Sequence, residues 1–195
     1  ISNGTQVLAL VDPDAKNDKI LNQIIDTVNK SNFDGLLVGG SRIVDDNFNQ
    51  RVSFIKENTD LPIILFPGDS SQISENAEAI LFLSLLSGRN PKYLIEEQVI
   101  SARKINGLNI EVIPTGYLLL KTEKKSAVEL ISNTSPLDMN NTNNVIDHCL
   151  AAQYMGNKLL FLECGSNSNS SIELNLLKQI NNKITIPLMV GGGIK

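Results

Sequence analysis

A surplus of positive charge is missing from this chain. Its 17 lysines and arginines are outnumbered by 21 aspartates and glutamates, for a formal charge of −4 over 195 residues. That argues against a nucleic-acid binder working through a basic surface. Long apolar runs are missing too. Stretches such as Ile80–Leu83 are short, and none nears the ~20 residues of a membrane span. The first residues do not follow the order of a cleavable signal peptide, and the chain begins at Ile1 instead of methionine, which leaves room for a preceding segment. Cysteine is scarce. Cys149 and Cys164 make no disulfide framework and point to a reducing cytoplasm. The single histidine, His148, falls on a helical pattern away from strand ends. It reads as a surface or structural residue, which argues against a histidine-dependent triad.

What the chain does carry is a repeated order. A β-type stretch is followed by glycine, a carboxylate or a hydroxyl, and then by helical spacing. Gln6–Val11 predicts a strand ending at Asp12, and Asp18–Lys30 a helix with Ile20, Leu21, Ile24, Ile25 and Val28 on one face. Gly35–Val38 predicts a strand ending in Gly39-Gly40-Ser41, and Val44–Asn58 a helix. Pro62–Phe66 is a strand closed by Pro67-Gly68-Asp69, with a short helical segment after Ser74. Ala79–Leu85 is a strand, and Pro91 opens a helix at the first-turn position it tolerates. Ile110–Ile113 starts a fifth strand running into Pro114-Thr115-Gly116-Tyr117. Residues 118–131 read as an inserted hairpin with Lys121–Lys125 at its tip, and Ser132–Asn144 as an exposed Asn-rich loop. Val145–Met155 is a helix, Lys158–Glu163 a strand, and Ile172–Asn181 a helix capped by Ser171. Ile186–Val190 is a strand ending in Gly191-Gly192-Gly193.

Seven strands alternating with helices lead to an α/β fold, a TIM-like (β/α)8 barrel in one domain over residues 1–195. Its eighth strand and helix are not supplied by Ile194-Lys195, so the chain reads as a fragment or as lacking its recorded end. A doubly wound sheet would instead bind at a switch point. Chemistry-bearing residues follow many strands here, which favours the barrel and its active edge.

Asp12, beside Pro13, is a carboxylate at a strand end. It suits a hard divalent cation such as Mg²⁺, which takes one or two protein oxygens and leaves the rest to water and phosphate. Equally, it suits a turn cap. Asp14 reads as a turn or helix-start residue. Gly39-Gly40-Ser41 could bring N–H groups and a hydroxyl to a phosphate or metal, or form an ordinary turn. Gly191-Gly192-Gly193 lets backbone approach a phosphate closely, as late strands of such barrels do; a tight bend is the other reading. Glu163 ends an apolar strand. An unpaired charge is costly to bury, so it is expected to face a cleft, as a general base or as a partner in a rim salt bridge.

The ordered set Val11-Asp12-Pro13-Asp14, Val38-Gly39-Gly40-Ser41, Phe66-Pro67-Gly68-Asp69, Ser87-Gly88-Arg89-Asn90-Pro91, Pro114-Thr115-Gly116-Tyr117, Phe161-Leu162-Glu163 and Gly191-Gly192-Gly193-Ile194 resembles the geranylgeranylglyceryl phosphate synthase family, its bacterial second group above all. The resemblance runs along the whole chain. It implies an Mg²⁺-dependent prenyltransferase that joins a polyprenyl diphosphate, such as geranylgeranyl diphosphate, to sn-glycerol 1-phosphate through an ether bond. It implies that Asp12 and Ser41 hold Mg²⁺ against the diphosphate and that Tyr117 lies by the allylic end of the prenyl chain. Phe161, Leu162, Glu163, Cys164, Gly165, Ser166 and Asn167, with Gly192 and Gly193, would surround the glycerol phosphate, Glu163 nearest its hydroxyls. Barrels of this kind often associate, so a homo-oligomer is one expectation, and transient membrane contact to collect the lipid substrate is another; the sequence decides neither. Where the family often has tyrosine this chain has Phe161, and where it often has Gly-Ser-Gly this chain has Gly165-Ser166-Asn167. Those departures motivate an alternative, a non-catalytic barrel that binds prenyl diphosphate or phospholipid.

Overall fold

Short runs of Leu, Ile and Val bounded by Gly and Asp become parallel strands, because strands covered on both faces need no polar alternation. Gly35-Leu36-Leu37-Val38 is the plainest case, buried at all four positions. The computed structural model describes residues 4–41, 43, 45–165 and 168–194. Its strands are β1 (Leu8–Val11), β2 (Gly35–Val38), β3 (Ile63–Leu65), β4 (Ala79–Leu85), β5 (Glu111–Leu119), β6 (Leu159–Glu163) and β7 (Leu188–Gly191). The helices are α1 (Leu21–Asn29), α2 (Phe48–Glu57), α3 (Glu97–Asn106), α4 (Ala127–Ser132), α5 (Thr142–Tyr154) and α6 (Leu174–Asn181). Strands neighbour one another in chain order. The pairs β1–β2, β2–β3, β3–β4, β5–β6 and β6–β7 are parallel. A crossover helix between parallel neighbours is the repeating unit of a TIM-like (β/α) fold, and that is the fold of this chain.

The residues group into two contact units, Ile1–Leu81 with Ile100–Val112, and Phe82–Val99 with Ile113–Lys195. In the first, α1 lays Leu21, Ile25 and Val28 inward at helical spacing, and α2 does the same with Phe48, Val52 and Ile55. Leu36, Ile63 and Leu65 are fully buried. In the second, Leu118, Leu160, Leu162, Val145, Cys149 and Ile180 belong to one apolar cluster. Side chains alternate across a strand. Because Leu160 and Leu162 enter that cluster, Phe161 and Glu163 stand on the opposite face of β6.

Several local expectations are corrected. The hairpin over 118–131 does not form. Leu118 and Leu119 extend β5, pairing with Leu162 and Glu163, and Ala127–Ser132 is a helix whose Ser126 side chain accepts from the Glu129 N–H. The following loop is not wholly exposed: Ser132, Thr134 and Leu137 are buried, and Leu137 bridges to Leu120. Phe48, not Val44, begins the second helix; Val44 lies outside the described residues. Turns replace the helical segment after Ser74. Pro91 opens a helix as expected, with helical backbone angles; its first turn, Lys92–Glu96, is π-helical before α3. The last helix starts at Leu174, after Glu173, with no side-chain cap from Ser171.

Candidate active site

In the first unit, the segments that follow β1, β2 and β3 meet backbone to backbone. Asp12 leaves β1, and its carbonyl accepts from Asn17 Nδ2 at 2.8 Å. Its Oδ2 pairs with Lys16 Nζ at 2.7 Å. Its Oδ1 is buried and has no hydrogen-bond partner among the described residues. That oxygen lies against Gly40, where a Cβ would stand 2.5 Å from it. A side chain at position 40 would displace that carboxylate. Ser41 follows directly, half-buried. Asp14 serves as a cap, accepting from the Lys16 N–H at 2.9 Å.

Arg51 of α2 is 6% exposed and ties this edge together. Its guanidinium reaches Asp18 at 2.5 and 2.9 Å, Asp45 at 2.7 Å on both nitrogens, and the Pro13 carbonyl at 3.3 Å. The Arg51 guanidinium holds the Asp45 carboxyl down at about 2 and lowers that of Asp18.

An unpartnered buried carboxylate oxygen next to a backbone cradle fits a hard cation. Among the described residues no group of three or more His, Cys, Asp or Glu side chains could enclose a metal. A cation here would take its remaining oxygens from water and phosphate, the usual habit of Mg²⁺.

In the second unit, β5, β6 and β7 place a different set on one face. Tyr117 pairs in register with Phe161, and Leu119 with Glu163. The Tyr117 hydroxyl donates to Glu163 Oε2. The Tyr117 and Phe161 rings lie 5.1 Å apart, tilted by 31°. Glu163 is 6% exposed, and burial pushes its carboxyl up to about 7. A carboxylate poised near neutrality can accept a proton from a hydroxyl.

Opposite Glu163 in β7 stands Gly191. A Cβ there would sit 2.8 Å from the Phe161 ring. Gly192 has φ +77, in the region that favours glycine. A Cβ on it would meet the Gly165 carbonyl oxygen at 2.7 Å. Gly193 packs on the Ser170 carbonyl, and Gly165 on the Ser126 side chain.

The structure thus brings Tyr117, Phe161, Glu163, Gly165, Gly192 and Gly193 together at one edge of one unit, and in the other sets Asp12 against Gly40, the residue before Ser41. The side chains of Leu162 and Cys164 enter the core cluster, leaving only their backbone for a ligand. Ser166 and Asn167 lie outside the described residues. Tyr117 is engaged by Glu163, a partnership the sequence did not suggest. Arg51, Gln72 and Ser126 were missed as supports. Arg51 is hidden in a helical pattern, and Ser126 in the supposed hairpin. Gln72 lies in the polar loop after Phe66-Pro67-Gly68-Asp69 and carries no signal of its own. His148 is structural, with Nδ1 2.7 Å from the Asn144 carbonyl and Nε2 3.4 Å from Arg89.

Residues 3–195 match the model of the PcrB family. The geranylgeranylglyceryl phosphate synthase of Flavobacterium johnsoniae is 42% identical over 98% of this chain and 79% of its own length. That of Methanosphaera stadtmanae is 36% identical over 95% and 76%. The crystal structure of (S)-3-O-geranylgeranylglyceryl phosphate synthase from Thermoplasma acidophilum, in complex with its substrate sn-glycerol-1-phosphate, superposes with a TM-score of 0.90 at 34% identity, over 98% of this chain and 77% of that one. The chain belongs to the PcrB family and is a prenyltransferase of the geranylgeranylglyceryl phosphate synthase kind.

Proposed function

We propose that this chain transfers a polyprenyl group, geranylgeranyl by preference, from its diphosphate to the C3 hydroxyl of sn-glycerol 1-phosphate, with Mg²⁺. The buried Glu163 carboxyl, held by Tyr117 at the end of β6, carries the reading. Support also comes from the Thermoplasma acidophilum relative, which binds sn-glycerol-1-phosphate. As the allylic carbon–oxygen bond to diphosphate breaks, the carbon gains cationic character. The glycerol hydroxyl attacks it, the ether bond forms, and Glu163 takes the hydroxyl proton. Asp12 and Ser41 would hold the Mg²⁺ that neutralises the charge on the departing diphosphate. Backbone N–H groups of the loops at Gly165, Gly192 and Gly193 bind the glycerol phosphate, which needs no basic surface.

Tyr117 orients the carboxylate and leaves Oε1 for the substrate. The Phe161 ring packs on Tyr117 and so steadies the ring whose hydroxyl holds Glu163. No helix among the described residues is long and apolar enough to cross a membrane. The proposal also includes a cytoplasmic setting, transient membrane contact to exchange lipid, and association into a homo-oligomer.

The test supplies Mg²⁺, labelled geranylgeranyl diphosphate, and either sn-glycerol 1-phosphate or its 3-phosphate mirror image. An organic-extractable ether product with the 1-phosphate alone is expected. Saturable binding of the diphosphate with no product from either acceptor would overturn the reading in favour of a non-catalytic binding protein.

A further inference from the structure

The loop that follows β3 is not used by the chemistry above, yet it grips the metal edge. Gln72 is 0% exposed. Its Oε1 accepts from the Gly40 N–H at 3.0 Å, and its Nε2 donates to the Gly40 carbonyl at 2.7 Å. A single side chain thereby saturates both polar groups of one residue, as a paired strand would. The grip is reinforced from the same loop. A Cβ on Gly68 would meet the Gly40 carbonyl oxygen at 2.3 Å and Gln72 Nε2 at 3.0 Å. One on Gly39 would meet the Phe66 carbonyl oxygen at 1.9 Å. Gly40 in turn abuts the unpartnered Oδ1 of Asp12 and precedes Ser41. A shift of this residue by a fraction of an ångström would change the spacing between the two oxygen donors. Mg²⁺ tolerates such changes poorly, since it demands near-ideal octahedral geometry.

We infer that Gln72 is the positioning residue of the diphosphate end: by clamping both backbone groups of Gly40 it sets the spacing of Asp12 Oδ1 and Ser41, and with it the affinity for the divalent cation. This rests on the metal role given to Asp12 and Ser41 above. The side chain touches neither substrate nor cation, and acts only through Gly40. Methionine in its place keeps the volume and loses both hydrogen bonds. Glutamate keeps the acceptor for the Gly40 N–H, loses the donor to the carbonyl, and brings a second carboxylate to the site.

The experiment titrates Mn²⁺ in the presence of inorganic diphosphate, followed by electron paramagnetic resonance, on the wild-type chain, Gln72→Met, Gln72→Glu and Gly40→Ala. Calorimetric titration with sn-glycerol 1-phosphate runs in parallel. Gln72→Met is expected to weaken Mn²⁺ binding tenfold or more while the glycerol phosphate Kd stays within twofold. Gly40→Ala, which drives a methyl group into Asp12 Oδ1, should weaken Mn²⁺ at least as much. Unchanged Mn²⁺ affinity in a folded Gln72→Met variant overturns the inference. So does an equal loss for both ligands, or failure of both Gln72 variants to fold, since each marks a residue that only supports the fold. A wild-type chain that binds no Mn²⁺ with diphosphate overturns the metal role of Asp12 and Ser41 itself, and this inference falls with it.

Discussion

Replacing Glu163 by glutamine should cut turnover steeply and, above neutral pH, make the protein more stable. Burial lifts the Glu163 carboxyl from 4.5 to about 7. In the folded chain it therefore holds its proton more tightly than in the unfolded chain. Below ~pH 4.5 both states are protonated and the group is neutral to stability. As pH rises from there to about 7, the unfolded carboxyl ionises first, and folding is progressively disfavoured. Above the folded value the loss is complete. At ~1.4 kcal/mol for each pH unit between the two values, the loss is about 3 kcal/mol. For a chain of this size that is roughly 6–12 °C in Tm.

The E163Q variant carries no such charge, and its amide oxygen still accepts from Tyr117. Urea denaturation of both proteins at pH 4.5, 6, 7 and 8 gives the difference directly. It should be near zero at the lowest pH and grow to its full size by pH 8. Over the same range the wild-type kcat/KM should rise with a midpoint near 7, while E163Q loses on the order of 10² or more in kcat. A difference that does not change with pH, or an E163Q variant less stable at pH 8 than at pH 4.5 relative to wild type, would refute the claim that burial controls this carboxyl.

Asp12→Asn should keep the fold and the sn-glycerol 1-phosphate Kd but lose Mn²⁺ binding with diphosphate, read by paramagnetic resonance; retained Mn²⁺ affinity would contradict the role of its Oδ1. Gly192→Ala forces a side chain into a left-handed backbone and onto the Gly165 carbonyl, so it should cost about 1–3 kcal/mol in denaturant unfolding and weaken glycerol phosphate binding. Arg51→Met should lower Tm at pH 7, and its deficit should shrink as pH falls through about 2, because the depressed Asp45 carboxyl contributes stability only while it is ionised. Cys149, pushed up to about 12 by burial, and the buried Cys164 should resist a thiol reagent in the native protein and react with it after unfolding.

The strands were legible because β2 is an apolar run stopped by glycine, β6 one that ends in a carboxylate, and β4 a long apolar run interrupted only by Ser84. Asp12, Ser41 and Glu163 were legible for the same reason, as polar residues placed where such runs end. The fifth strand was misjudged because Leu118-Leu119-Leu120 reads equally as the continuation of a strand or the start of another. The chain did contain the deciding signal. Ser126-Ala127-Val128-Glu129 has the spacing of a capping box, which marks a helix start where a hairpin strand was expected. Helix α2 was drawn from Val44, four positions before its start at Phe48, because Asp45 and Asp46 precede it without breaking the apolar spacing; Asp45 is taken by Arg51 instead. Register was beyond reach. That Tyr117 lies across from Phe161 and bonds Glu163 depends on how two strands 46 residues apart slide against one another, and periodicity carries no information about that. Gln72 left no mark for a related reason: glutamine in a polar loop looks the same whether it faces water or clamps a peptide.

The contact between the Phe161 ring and Gly191 makes two positions on neighbouring strands share one volume. With phenylalanine at 161, a side chain at 191 would have to push that ring aside. A smaller residue at 161 would free room for alanine or serine at 191, and a tyrosine would not. Among relatives, the two positions should therefore change together: bulk at 191 should be found only where the aromatic ring at 161 has been given up, and a double exchange should be tolerated where the single change at 191 is not.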